Sequence, residues 1–216
     1  MPEQIGYQQV CQMLLAAVQK VRENHEMLSR LDAAVGDGDH GTTMLRSMEA
    51  VAKTISENAG SDLKELLAKA GWEVMGCDGG STSALLGCFF MGMSEAVAGR
   101  TELDQPAMVA MFEGGILTLQ KQSRARVGDK TMMDAFLPAL AAMKADSSEK
   151  NIRATLLRAA AASSQGAEAT KSWPAKFGRA RNLGARAIGH ADPGAVSVSL
   201  LFQGFSEAMQ GIAPTP

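Results

Sequence analysis

Apolar side chains recur at helical spacing along most of this chain, and this pattern restricts the fold more than any other feature of the sequence. Segment 5–30 is an example, with its apolar positions on one helix face: Val10, Leu14, Leu15, Val18 and Val21. No segment shows a convincing alternation of apolar and polar residues, which would mark a half-buried strand. Alanine and methionine are abundant and aromatic residues make up only 5% of the chain, which also favours helices. The sequence therefore predicts an all-α fold.

Breaks rich in glycine or in charged residues divide the chain into about eight helical segments. Their predicted bounds are 5–30, 42–55, 62–75, 82–97, 105–122, 130–144, 148–170 and 192–209. A chain of 216 residues is long enough to bury one substantial core. We therefore expect residues 1–216 to form a single domain, a helical bundle with its functional residues gathered on the loops.

Residues suited to capping helices stand at several of the predicted helix starts. Asp62 and Asp104 each precede a helical segment and offer a side-chain acceptor to the free N–H groups of the first turn. Asp129 is expected to do the same for the segment 130–144, in which Pro138 is either an internal kink or a boundary. These residues predict where helices begin and need no functional explanation.

Charge and cysteine content exclude several classes of protein. The net charge of −2 gives no basic surface of the kind that nucleic-acid-binding proteins use. Three cysteines, with no metal-binding or disulfide spacing, are expected to be reduced structural thiols. The N-terminal residues lack the basic and apolar regions of a signal peptide, and the apolar runs are too short to cross a bilayer. We expect a cytoplasmic protein without a membrane or nucleic-acid partner.

The first break, LDAAVGDGDHGTT at residues 31–43, holds three closely spaced carboxylates. Asp32, Asp37 and Asp39 would repel one another, and a bound cation removes that repulsion. Hard cations such as Mg²⁺ prefer oxygen ligands and keep coordination positions for water and substrate phosphates. The alternative is that one aspartate caps a helix while the other two face solvent. The three together favour a metal site that serves a nucleotide phosphate.

Two familiar motifs are excluded for this break. Residues 36–41 match the dinucleotide-binding pattern G-x-G-x-x-G, but a helical segment precedes them where that motif needs a strand. A calcium-binding EF-hand loop that began at Asp37 would need Gly at position 42 and Glu at position 48, where Thr42 and Met48 stand. The carboxylates therefore belong to neither motif.

The other breaks also lead into helices. His40, Gly41, Thr42 and Thr43 follow the carboxylates, and the sequence GGST at 79–82 opens the next apolar helix. A helix N-terminus with free N–H groups and hydroxyls suits phosphate oxygens, although plain helix capping predicts the same residue types. The sequences GDKT at 128–131 and GHADPG at 189–194 are likewise typical of turns that lead into helices, and His190 by itself is most simply structural.

The stretch 171–191 is long, basic and punctuated by glycine, and we expect it to be a loop of the kind that forms a lid over a functional site. Its arginines either form a solvated face or close over phosphates, where a mobile cation offsets developing charge: Arg179, Arg181 and Arg186. Trp173 and Phe177 either pin this segment or line a base pocket. We call residues 171–191 the lid.

Taken in order, four motifs resemble one family. The sequences GDGDHGTTM, GGSTSALLGCFF, GDKTMMDAFLP and GRARNLGARAIGHADPGAVS are similar to those of the nucleotide-binding L subunit (DhaL-like) of dihydroxyacetone kinase. The same module forms the C-terminal domain of single-chain ATP-dependent dihydroxyacetone kinases. The resemblance covers about residues 5–210. It implies a barrel of eight antiparallel helices with the nucleotide site at one end.

The resemblance also implies roles for individual residues. Asp32, Asp37 and Asp39 would hold two Mg²⁺ ions that bridge to the phosphates of ADP or ATP. The phosphate oxygens would contact the residues of two helix starts: His40, Gly41, Thr42, Thr43, Ser81 and Thr82. Met132 would touch the base or ribose. Arg179 in the lid would complete the nucleotide site together with Asp192, Pro193 and Gly194, and Arg179 would also act as the catalytic cation.

A kinase subunit of this family is active only with its partner. The resemblance implies a K subunit that holds the ketose, dihydroxyacetone or a tetrulose such as erythrulose, through a histidine that this chain lacks. The resemblance allows three further partners: a phosphotransfer M subunit in the phosphotransferase-linked type, a transcription regulator, and a second copy of the chain. Thr42 and Thr43 follow His-Gly as in the ATP-dependent enzymes, whereas His40 is common in the phosphotransferase-linked type. The sequence does not identify the phosphoryl donor. It also leaves two other functions open, those of a regulatory module and of a metal-dependent hydrolase.

Overall fold

The computed structural model describes residues 4–58, 60, 62–145 and 151–210, and it is almost entirely helical. The helices are α1 (Tyr7–Ala33), α2 (His40–Glu57), α3 (Leu63–Met75), α4 (Gly80–Ala96), α5 (Gln105–Gln122), α6 (Met133–Lys144), α7 (Ile152–Ala169) and α8 (Pro193–Gln210). Two short 3₁₀ helices, Thr170–Ser172 and Arg179–Ala187, lie between α7 and α8. The predicted all-α fold is confirmed.

The eight helices form a closed ring. Each helix contacts the next one in the chain, and α8 packs against α1. Apart from the lid between α7 and α8, the connections are short, so the helices that they join run in opposite directions. As a result α2, α4 and α6 begin at the same end of the ring, where the motifs of the sequence lie. The start of α8 lies there too, since Pro193 and Gly194 line one pocket with Thr42 and Ser81.

Phenylalanine side chains fill the interior of the ring. Six of the seven phenylalanines are buried, on helices α4, α5, α6 and α8: Phe89, Phe90, Phe112, Phe136, Phe202 and Phe205. Their rings pack in tilted or edge-to-face pairs, with centroids 4.8 to 6.4 Å apart. Such pairs contribute roughly 0.5–1.5 kcal/mol each beyond the burial of their surface. The seventh, Phe177, is 40% exposed and belongs to the lid.

The first helix differs from its prediction at both ends. Residues Ile5–Gly6 form a strand, β1, that pairs antiparallel with β2, Glu102–Leu103, so the expectation of no strand was wrong at this point. Strands of two residues are too short to show an alternating pattern. At its other end α1 continues to Ala33, because the sequence Leu-Asp-Ala-Ala favours helix. Asp32 therefore lies in the last turn of α1 and not in a loop.

The start of α6 also differs from its prediction. The helix begins at Met133, three residues later than expected, because the Asp134 carboxylate accepts hydrogen bonds from Gly128 N (2.5 Å) and Thr131 N (2.6 Å) and holds the preceding turn. The predicted cap role of Asp129 was wrong, since its carboxylate accepts from Arg126 N at 2.8 Å. Pro138 lies inside the helix.

Other predicted boundaries are close to the observed ones. Asp62 and Asp104 cap α3 and α5 through hydrogen bonds from Glu65 N and Ala107 N. Helix α2 begins at His40, two residues before its predicted start. The first residues of the predicted segment 148–170 lie outside the described residues. The three cysteines are free thiols, and no described helix combines the length and apolar character that a membrane span needs.

Glycine permits a close contact between the first and last helices of the ring. A Cβ atom on Gly204 of α8 would lie 2.5 Å from Ala17 N and 2.6 Å from Ala17 Cα of α1. Both contacts are with backbone, which cannot move aside as a flexible side chain can. We therefore expect Gly204→Ala to destabilise the protein by about 1–3 kcal/mol, because overpacking forces the two helices apart.

Urea unfolding monitored by circular dichroism measures this effect. The control is Gly76→Ala at the end of α3, where Gly76 has a φ of −72° and an added Cβ would meet nothing closer than 3.5 Å. Its stability should stay within about 0.5 kcal/mol of the wild type or rise slightly. Equal losses in the two variants would contradict the packing argument.

Candidate functional site

A large pocket opens at the end of the ring where the even-numbered helices begin. Its volume is about 960 Å³, at the upper end of the roughly 300–1,000 Å³ that small-molecule sites span. The lining comes from the starts of α2, α4 and α8, from the turn before α6 and from the lid. The lining residues predicted from sequence are Asp32, Asp39, His40, Thr42, Thr43, Ser81, Thr82, Met132, Arg179, Asp192, Pro193 and Gly194.

Three carboxylates converge at one side of this pocket. Oxygen atoms of Asp32, Asp37 and Asp39 all lie within 4.8 Å of one another. Gly38, between the last two, has a φ of +81°, which lets the chain reverse tightly so that both carboxylates approach Asp32. Gly36 allows a further close approach, since a Cβ there would lie 2.4 Å from Asp32 Oδ1.

The electrostatics of this cluster suit a divalent cation. Burial and the neighbouring Asp37 carboxylate raise the pKa of Asp39 above its ordinary value. Arg179 of the lid offsets part of the negative charge, with its Nη1 atom 2.8 Å from Asp37 Oδ1 and 3.8 Å from Asp39 Oδ1. An all-oxygen donor set with excess negative charge fits a hard ion such as Mg²⁺. No side chain caps α2 at Asp39, so its oxygens are not committed to the helix.

Helix N-termini line the same pocket as the carboxylates. The first residues of α2, α4 and α8 line it, and Met132 stands at the start of α6. The first N–H groups of a helix have no partner within the helix, and the helix dipole places partial positive charge there. Each such terminus favours an anion by about 0.3–1 kcal/mol. The pocket thus combines carboxylates that suit a cation with helix starts that suit an anion.

His40 connects two of these helix starts. The residue is 8% exposed, and its Nε2 atom lies 3.0 Å from Ser197 Oγ on α8. Its backbone N–H donates to Asp32 Oδ2 at 3.3 Å. Burial lowers the pKa of His40, so the imidazole is neutral at pH 7. The side chain therefore ties α2 to α8 beside the carboxylates and adds no positive charge.

Asp192 is a half-buried carboxylate at the start of α8. Its Oδ2 atom accepts a hydrogen bond from Ala195 N at 2.7 Å, which caps the helix. Burial raises the pKa of Asp192 to about 7, and the Asp134 and Asp32 carboxylates act in the same direction. The nearby Lys130 ammonium and the capping bond oppose this rise only in part.

Some predicted residues lie outside the main pocket. Gly41 faces α1, since a Cβ there would lie 1.8 Å from His25 O, so its absence of a side chain serves packing. Asp37 lies in a smaller adjoining cavity with Arg179. Phe177 lines the main pocket and Trp173 does not. Arg181 and Arg186 are exposed and line neither cavity, whereas Arg179 lines both.

Sequence reasoning missed two cations of the pocket lining. Arg46 of α2 lies one turn after Thr42 and Thr43 and donates from Nη1 to the backbone oxygen of Asp78. Helical spacing from Thr42 could have identified it. Lys130 lies in the GDKT turn with its side chain buried. No spacing in the sequence indicates that this lysine faces inward.

Comparison with known families agrees with this geometry. Residues 34–207 match the family model described as the DAK2 domain, which covers most of the ring and all four motifs. The chain belongs to the DAK2 domain family. The resemblance inferred from the four motifs is therefore confirmed at the level of the family.

Named relatives align with more than four fifths of the chain. It is 36% identical over 185 residues to the "PEP-dependent dihydroxyacetone kinase 1, ADP-binding subunit DhaL" of Listeria innocua, covering 85% of this chain and 87% of that protein. It is 34% identical over 180 residues to the PEP-dependent dihydroxyacetone kinase ADP-binding subunit DhaL of Escherichia coli, covering 82% of this chain and 85% of that protein.

A solved structure shares the fold. The dihydroxyacetone kinase of C. freundii, crystallised in complex with AMP-PNP and Mg²⁺, superposes with a TM-score of 0.73 at 25% identity. The match covers 96% of this chain and 35% of that chain. This DAK2 domain therefore corresponds to about a third of the larger kinase.

The raised pKa of Asp192 predicts a pH-dependent stability. The folded protein holds a proton on this carboxyl up to about pH 7, whereas the unfolded chain releases it near the ordinary value of 3.8. The stability that this proton contributes is fully present below pH 3.8 and is lost as the pH rises to about 7. We expect the wild type to lose more stability than Asp192→Asn between pH 5 and pH 8, because the amide does not titrate.

Urea unfolding midpoints at pH 5, 6, 7 and 8 measure the difference. The matched control is Asp104→Asn, which changes the capping aspartate of α5 at the opposite end of the ring. If Asp192→Asn has the same pH profile as the wild type, the Asp192 carboxyl does not hold the proton.

Proposed function

We propose that this DAK2 domain is the nucleotide-binding, phosphoryl-transfer subunit of a dihydroxyacetone kinase. The observation on which the proposal rests is the convergence of three carboxylates and the N-termini of several helices on one pocket. This is the combination that a metal-bound nucleotide phosphate needs, because the carboxylates hold the ion and the helix starts hold the oxygens. The names of the Listeria innocua and Escherichia coli relatives support it.

The proposed roles follow from where the side chains lie. Asp32, Asp37 and Asp39 hold Mg²⁺, two ions by analogy with the family, and the metal supplies charge neutralisation to the phosphates when bound. The backbone N–H groups and hydroxyls at the starts of α2 and α4 bind phosphate oxygens: His40, Gly41, Thr42, Thr43, Ser81 and Thr82. Asp192, Pro193 and Gly194 close the third side of the phosphate site.

The lid provides the proposed catalytic cation. Arg179 stands beside Asp37 and Asp39, so its guanidinium is within reach of a phosphoryl group held at the carboxylates. A cation in this position offsets charge on the transferring phosphoryl, and the rest of the site acts by positioning. Met132 and Phe177 line the pocket with apolar surface for the base or ribose.

The acceptor is proposed to lie on a separate K subunit. The ketose is dihydroxyacetone or a close relative such as erythrulose, and the mouth of the pocket is where the two subunits meet. On its own the chain, taken as a single domain of residues 1–216, should not phosphorylate dihydroxyacetone. Turnover of dihydroxyacetone by the isolated chain in a coupled assay would refute this split site.

The proposed donor is a phosphotransfer protein fed by phosphoenolpyruvate, with ADP as a resident nucleotide. The PEP-dependent names of both relatives support this choice, as does His40. Direct use of ATP is the second candidate, which Thr42 and Thr43 favour. Mass spectrometry of the purified protein distinguishes the two, because tightly retained ADP is expected for the first and an empty site that exchanges ATP for the second.

The metal assignment predicts that Asp37→Asn abolishes Mg²⁺-dependent ADP binding. Asp37 is exposed, so the amide should leave the helices intact while it weakens the charge that holds the ion. Isothermal titration with ADP in the presence and absence of Mg²⁺ measures the loss, and circular dichroism checks the fold. Glu26→Gln, an exposed carboxylate on α1, is the control. Unchanged ADP affinity in Asp37→Asn would remove the assignment.

The role of Arg179 predicts a loss of rate. Arg179→Gln should lower kcat in the assay with the K subunit by roughly 10³-fold or more, since an arginine of this kind contributes about 10³–10⁵ in phosphoryl transfer. The affinity for ADP should change far less. Arg181→Gln is the matched control, since Arg181 is exposed on the same 3₁₀ helix and lines neither cavity. Equal rate losses in the two variants would assign the effect to the lid in general.

A further inference from the structure

Lys130 is a buried cation that the proposed function does not use. The residue is 1% exposed, although lysine is almost never fully buried without partners. Its φ of +60° is the only positive value among the non-glycine residues that the structure describes. A side chain that is both buried and on a strained backbone needs a structural or functional reason.

The partners of Lys130 lie at the two ends of the lid. Its Nζ atom donates to Thr170 O at 2.6 Å and to His190 O at 2.5 Å. Thr170 immediately precedes the lid and His190 is its penultimate residue. The Asp134 and Asp192 carboxylates favour the charged form of Lys130, although burial lowers its pKa. One ammonium group thus joins two backbone carbonyls that are 20 residues apart in the chain.

The same two ends are also joined directly. Gly189 N donates to Lys171 O at 2.8 Å, and Asp192 N donates to Thr170 Oγ1 at 2.8 Å. Lys130 therefore lies at the closed base of the lid, where α7 ends and α8 begins.

The residue before Lys130 holds the lid at a third point. Asp129 Oδ1 accepts from Lys176 Nζ at 2.6 Å, and Asp129 O accepts from Lys176 N at 3.1 Å. Three residues further along the lid, Arg179 reaches Asp37. A short path therefore leads from the turn at 129–130, through Lys176, to the arginine at the carboxylates.

We propose that Lys130 is a positioning residue, whose ammonium sets the base of the lid so that Arg179 lies over the carboxylate cluster. The inference rests on the proposed function, because it assigns Lys130 to the placement of the catalytic cation. It adds to that role a residue whose ammonium hydrogen-bonds to the two ends of the lid and not to the carboxylate cluster.

A role confined to the turn before α6 does not account for the ammonium. The Asp134 carboxylate already holds that turn through Gly128 N and Thr131 N. A left-handed backbone residue at 130 would be served better by Gly or Asn, which adopt this conformation at lower cost. The reach of the side chain to Thr170 and His190 is what distinguishes lysine here.

Lys130→Asn separates the two roles. Asparagine suits the left-handed turn, but its amide is too short to reach the two carbonyls. Lys130→Met is the second variant, which keeps the apolar stem and lacks only the ammonium. Lys171→Met is the control, because Lys171 is a lid lysine whose side chain pairs with Glu168 at the surface.

Hydrogen exchange of the free full-length chain is the first measurement. In both Lys130 variants the amides of the lid should exchange about tenfold faster or more, since charge-assisted hydrogen bonds at its base are lost. Amides of α1 and α4 should be unchanged, and Lys171→Met should match the wild type. Unchanged lid exchange in both variants would overturn the proposal, and so would an equal increase throughout the core, which would show a purely structural role.

A double-mutant cycle with Arg179→Gln is the second measurement. With the K subunit present, Lys130→Met should lower kcat with little change in the affinity for Mg²⁺-ADP, and Arg179→Gln should add less to this loss than it causes alone. Strictly additive losses would overturn the positioning role. Failure of the wild type to bind Mg²⁺-ADP would instead refute the proposed function, and the exchange experiment would still decide whether Lys130 holds the lid.

Discussion

The alternation of helix direction around the ring is the constraint on which the site depends. Most connections are short and each helix packs against its predecessor, so every second helix begins at the same end. The helix dipoles therefore place partial positive charge at that end, independently of the basic side chains there. The close contact of α1 with α8 at Gly204 completes the ring and brings Asp192 of the last helix to the same pocket as Asp32 of the first.

Two kinds of charge balance each other at this end. Helix N-termini favour anions, whereas the close approach of Asp32, Asp37 and Asp39 favours a cation, and the metal-bound phosphate of the proposed function would satisfy both at once. Arg179 and Lys130 add positive charge in different ways: one lies on the exposed lid at the carboxylates, and the other is buried at the base of the lid. Arg179 therefore lies where a ligand in the pocket can reach it, whereas Lys130 holds the base of the lid beside the pocket.

Local signals were enough to predict much of this arrangement. Periodicity placed the helices, and Asp62 and Asp104 marked two starts correctly, because caps depend on residues three positions apart. The acidic loop could be recognised since its three carboxylates are close in sequence. Lys130 could not, because its partners at Thr170 and His190 lie 40 and 60 residues away. Asp129 was predicted wrongly as a cap, because its carboxylate accepts from the preceding Arg126 N and from the remote Lys176 Nζ.

The buried phenylalanine cluster occupies the interior of the ring and not the wall of the pocket. Rings from α4, α5, α6 and α8 meet there, and none of these six side chains lines the pocket. Side chains at the pocket can therefore change without loss of this aromatic packing. Ligand specificity and fold stability can thus vary separately in a ring of this kind.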